Sequence, residues 1–86
     1  MALHSHDFVE SYTGLVGYGF DRPTDLATLQ VYLQKFSDDQ CLALILPRLE
    51  QADMDAVFEL ISDLLRRHLS EKEYHEHFLK DPEHDH

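Results

Sequence analysis

Histidine is the residue type through which this chain could do chemistry. It occurs in three His-X-His pairs: His4-Ser5-His6, His75-Glu76-His77 and His84-Asp85-His86. Neutral imidazole is a good ligand for Zn, Ni and Cu. Two rings at alternating positions converge on one ion only where the backbone is extended, because positions i and i+2 of a helix point about 200° apart. The terminal pairs His4, His6, His84 and His86 are therefore the candidate metal ligands, and Asp81, Glu83 and Asp85 stand close enough in sequence to support the last two. Removal of Met1 would expose Ala2-Leu3-His4, whose amine, amide nitrogens and imidazole form a square-planar set suited to Cu(II) or Ni(II). The competing reading is solvated histidine on frayed ends. A strong site would show cysteine pairs or two histidines one helical turn apart, and neither is present.

Other constellations are weaker still. Cys41 is the sole cysteine and lies in the apolar run Cys41-Leu42-Ala43-Leu44-Ile45-Leu46, surroundings that make a thiol inert. Asp38-Asp39 and Asp53-Met54-Asp55 sit where helices begin, and there the helix dipole stabilises negative charge without any metal. His68 falls within an apolar stripe near a helix C-terminus and reads as a half-buried structural histidine. Gly14, Gly17 and Gly19 lack the phosphate-binding pattern, since no strand precedes them and no Lys-Ser/Thr follows. Tyr18 and Phe20 ride on that glycine-rich backbone, either as binding anchors or folded back over a thin core.

Helices must position these residues. Asp7 can cap a first helix that ends by Gly17 or already at Gly14. Thr24 can cap a second, with Leu26, Leu29, Tyr32, Leu33 and Phe36 within about a 120° arc facing the core. Val31 then lies on the opposite side, as a second contact surface or a lone exposed apolar residue. Asp38 or Asp39 opens a third helix that is apolar nearly all round and so reads as central, and Pro47 kinks or restarts it. Asp53 caps a fourth, whose stripe runs through Met54, Val57, Phe58, Ile61, Leu64, Leu65 and His68. Ser70-Glu71-Lys72-Glu73 reads as a capping box, which breaks the chain at Leu69–Ser70 and starts a short fifth helix to about Leu79.

Strand alternation is absent. The expectation is an all-α fold: one small domain over 1–80, a bundle or orthogonal array of four to five short helices, with a polar tail over 81–86. A chain of 86 residues buries only a thin core, and association with a second chain commonly completes such a core. The net charge of −10 repels phosphate backbones and anionic membranes and favours basic proteins. Protonation of the seven imidazoles near pH 6 would reduce that charge. The N-terminus carries no basic-then-apolar leader pattern, so the expected compartment is the cytoplasm. With no catalytic constellation, the expectation is a non-enzymatic interaction or regulatory/adaptor module that binds a protein partner or itself as a homodimer. Its candidate contact residues are Tyr18, Phe20 and Val31. The alternative is a small Zn, Ni or Cu carrier using the terminal histidines.

Overall fold

A computed structural model describes residues 6–81. The described residues form an all-α protein without strands. The chain divides into two compact units, Met1–Arg48 and Leu49–His86. The division falls inside the span read from sequence as one domain.

In the first unit, α1 (Asp7–Ser11) packs on α2 (Arg22–Phe36), and α3 (Asp39–Ile45) also touches α2. Helix α1 is a single turn. His6 occupies its N-cap position without a side-chain cap, so Asp7 is the first helical residue rather than the cap. The chain leaves the helix at Tyr12, whose backbone is extended, well before Gly17. Tyr12 stacks on Phe8 at 5.0 Å between ring centroids, and its hydroxyl donates to the Leu15 carbonyl at 2.9 Å. That bond folds the chain into a loop over 12–21.

Asp21, not Thr24, caps α2. Its Oδ1 accepts the Thr24 N–H at 2.8 Å, and Pro23 sits in the first turn, where no intrahelical donor is needed. The inward face of α2 is the reverse of the one expected. Thr28 and Val31 are 3% and 5% exposed, whereas Leu26, Leu29, Tyr32, Leu33 and Phe36 lie on the outside. Polar hydrogen bonding decides the orientation. The Val9 N–H donates to Gln34 Oε1 at 2.8 Å, which holds α1 against the Thr28–Val31–Gln34 face. Val31 is therefore an anchor of this unit, its burial worth roughly 2 kcal/mol, and is not a free contact residue. Asp38 caps α3 as expected, with Oδ2 accepting from Gln40 and Cys41. Helix α3 is not central: it has no buried residue, and Leu44 is exposed. Pro47 ends it in a 3₁₀ turn, Leu46–Arg48.

The second unit begins with α4 (Gln51–His68), one turn ahead of the expected cap. Glu50 is the N-cap residue, and its N–H donates to Asp53 Oδ2 at 3.1 Å, so Asp53 closes the first turn from within. Asp63 accepts from Arg67 at 2.7 Å and from Arg66 at 3.3 Å. The chain turns extended at Leu69, as expected. Ser70 and Glu73 then close a reciprocal box, with bonds of 3.1 and 2.8 Å, that starts α5 (Glu71–Glu73). This continues as a π-helical segment, Tyr74–Phe78, closed by the Leu79 N–H on the Tyr74 carbonyl at 3.0 Å. Tyr74 stacks on Phe78 at 5.4 Å.

Candidate interaction surface

The loop over 12–21 is fixed by its backbone, and the side chains of Tyr18 and Phe20 stay outside. Thr28 Oγ1 accepts the Gly17 N–H and donates to the Gly17 carbonyl, both at 2.9 Å. Asp25 Oδ1 accepts from Gly19 at 2.8 Å and from Phe20 at 3.2 Å. Gly19 carries φ 98°, which favours glycine because a side chain clashes with the backbone there. These bonds hold the loop against α2, with Tyr18 and Phe20 73% and 67% exposed. Neither ring is folded over the core.

Beside them lies a groove of about 360 Å³, walled by Tyr18, Phe20, Leu26 and Leu29, with Asp21, Arg22 and Asp25 also lining it. The outer face of α2 continues the apolar surface through Tyr32, Leu33 and Phe36. Tyr32 and Phe36 also line a second groove of about 530 Å³ with Val16, Val31, Lys35 and Cys41. One carboxylate lining the first groove is held ionised: the hydrogen bonds from the Thr24 backbone and hydroxyl keep Asp21 below the ordinary carboxylate range.

The second unit has a separate groove of about 420 Å³ between the end of α4 and the start of α5, lined by Ser62, Leu65, Arg66, Leu69, Ser70, Glu71 and Tyr74. Two of this unit's carboxylates are also held low. For Asp63 the cause is first the Arg67 hydrogen bond, then the Arg67 and Arg66 charges. For Glu73 it is the Ser70 backbone and hydroxyl bonds. Both pairs stabilise helix ends and are fully explained by that.

Of the candidate metal ligands, His4, His84 and His86 lie outside the described residues. His6 is described, and its Nε2 is 2.7 Å from Ser37 Oγ. Among the described residues no three His, Cys, Asp or Glu side chains gather closely enough to hold a metal ion. His75 is half-buried, with Nδ1 3.7 Å from an Asp81 carboxylate oxygen, while His77 is exposed, so the two do not share surroundings. His68 is exposed rather than half-buried. Cys41 is free and half-buried. No described helix is long and apolar enough to cross a membrane.

Sequence reasoning brought Tyr18 and Phe20 forward through their glycine-rich setting. It misses the outer face of α2, because an apolar stripe ordinarily marks the inside of a helix. It also missed Asp25 and Thr28, whose only sequence signal is a hydrogen-bonding side chain within reach of a glycine-rich loop. The chain matches no known protein family, no curated protein and no solved structure.

Proposed function

We propose that this chain is a non-enzymatic protein–protein interaction module, regulatory or adaptor-like, which receives its partner on the aromatic loop and the outer face of α2. One observation carries the reading: Tyr18 and Phe20 stand in solvent on a backbone fixed by four hydrogen bonds, three donated to Thr28 and Asp25 and one donated by Thr28. Aromatic side chains held this way desolvate on binding with little further ordering, as interface anchors do. Asp21 and Asp25 outnumber Arg22 in the lining of the groove and, together with the net charge of −10, select for a basic partner protein and against nucleic acid or an anionic membrane. A second chain, a partner or another copy, adds the burial that so small a core lacks. One half-buried cysteine fits a reducing compartment, and we place the protein in the cytoplasm.

The test is photo-crosslinking from benzoylphenylalanine installed at position 18, with Thr13 as a control position. The expected result is a discrete adduct from position 18 that disappears in a Phe20→Ala, Leu29→Ala background, with the partner basic by composition. No adduct from position 18 in cells, whatever the oligomeric state, would overturn the proposal.

A further inference from the structure

The second unit leaves its longest helix uncovered. Met54, Val57, Phe58, Leu60, Ile61 and Leu64 of α4 are all exposed, Phe58 at 74%. Their spacing is that of a coiled-coil seam. Met54, Val57, Ile61, Leu64 and His68 follow each other at steps of three and four, the a and d positions of a heptad. Phe58 and Leu60 flank the seam on opposite sides. Charge along the same helix is uneven: Glu50, Asp53, Asp55 and Glu59 lie towards its start, while its end carries Arg66, Arg67 and His68 with one acid, Asp63, which pairs with both arginines and leaves that end net basic.

We infer that α4 pairs with α4 of a second copy, antiparallel, about a two-fold axis near Glu59. This rests on the reading of the chain as an interaction protein and assigns self-association to a different surface from the aromatic loop. The charge division selects the direction. A parallel pair would set acid against acid, base against base, and align the two helix dipoles. An antiparallel pair opposes the dipoles and matches the charges. One register pairs the exposed apolar side chains. Met54 faces Leu64 of the second copy, and Val57 faces Ile61. On one flank Leu60 meets its own counterpart at the axis, with Asp53 opposite Arg67 on either side. On the other flank Phe58 meets its counterpart. Glu50 falls opposite His68 and closes the seam at both ends. The exposed apolar side chains offer roughly 600 Å² per copy, about 1,200 Å² in the pair, at the lower edge of the range for specific interfaces. An interface of that size belongs to the weaker, reversible class.

Sedimentation equilibrium of the full chain between about 1 μM and 1 mM should show monomer and dimer in exchange. Leu60→Glu, which sets two carboxylates against each other at the axis, should raise the dissociation constant by about 30-fold or more. Its circular dichroism should be unchanged, because position 60 is exposed within one copy. Direction is read by oxidation in a Cys41→Ser background. Leu60→Cys should form a disulfide-linked dimer, while Glu59→Cys on the outer side should stay reduced. A parallel pair would hold the two copies of position 60 on opposite flanks and leave that variant reduced as well. A chain that is monomeric at 1 mM, a dimer indifferent to Leu60→Glu, or a Leu60→Cys variant that stays reduced would each overturn the inference. The two proposals fail separately. A Tyr18→Ala, Phe20→Ala chain should dimerise like the unaltered protein, and a Leu60→Glu chain should still give the position-18 adduct.

Discussion

Replacing Thr28 with valine tests whether hydrogen bonding or apolar burial sets the inward face of α2. The two side chains have nearly the same shape, and helix propensity barely separates them. By apolar burial alone, valine at a position only 3% exposed should stabilise. The geometry says the opposite. Thr28 Oγ1 both donates to and accepts from Gly17 at 2.9 Å, so valine removes two hydrogen bonds at once. Each contributes about 1 kcal/mol net, and Gly17 is half-buried, so water reaches part of what is deserted. The sum is about 2 kcal/mol of destabilisation for Thr28→Val. Thr28→Ser keeps the hydroxyl and loses one methyl group, for about 1 kcal/mol. The expected order is therefore Thr, then Ser, then Val. Urea unfolding gives the overall ranking. Hydrogen exchange at the Gly17 amide gives the local one and should quicken by about 30-fold in the valine variant, the equivalent of 2 kcal/mol. A valine variant more stable than the serine variant, or a Gly17 amide with unchanged exchange, would refute the reasoning.

Three further outcomes are expected. Gly19→Ala should destabilise by about 1–2 kcal/mol in thermal melts although nothing crowds the new methyl, because the penalty lies in φ 98° rather than in space. Asp21, Asp63 and Glu73 have folded pKa values below their usual 3.8, 3.8 and 4.5. What they contribute is fully present above those usual values and is lost as pH falls through the lower folded ones. Helicity should thus hold from neutral pH to about 5 and decline below about 4, and carboxyl NMR should show Ser70→Ala returning Glu73 towards its ordinary titration. A Zn(II) and Ni(II) titration followed at the imidazole resonances should leave His6 unmoved until metal reaches about millimolar, as for an ordinary surface histidine. Saturable shifts at His84 and His86 at micromolar metal would instead favour the carrier reading.

The parts of the fold that were legible in the sequence are those fixed by neighbours along the chain. The break at Leu69–Ser70, the Ser70–Glu73 box and the Asp38 cap each need only three or four residues to specify them. The inward side of α2 needs more. Periodicity gives the angular position of Leu26, Leu29, Leu33 and Phe36 relative to Val31, but not which side meets α1 and the loop. That was settled by the Gln34 and Thr28 bonds to Val9 and Gly17, 25 and 11 residues away in sequence. The short α1 has a similar cause. The Tyr12 hydroxyl bonds the Leu15 carbonyl, a side chain-to-backbone closure that competes with the helix and has no signature in hydrophobic spacing. The tilt from α to π at Tyr74 was likewise illegible, since the aromatic stack of Tyr74 on Phe78 suits either winding.

Gly19 has an evolutionary consequence. Its φ of 98° is natural to a residue of mirror-image chirality, and the space where a side chain would go is open, so a D-alanine placed there by chemical synthesis would fit and restrict the unfolded chain as well. Among genetically encoded residues, glycine alone takes this backbone readily. The two positions flanking it carry no such restriction. Mutation can therefore exchange Tyr18 and Phe20 for other side chains while the turn that presents them keeps its course, and what the loop exposes can change across generations without the frame being rebuilt.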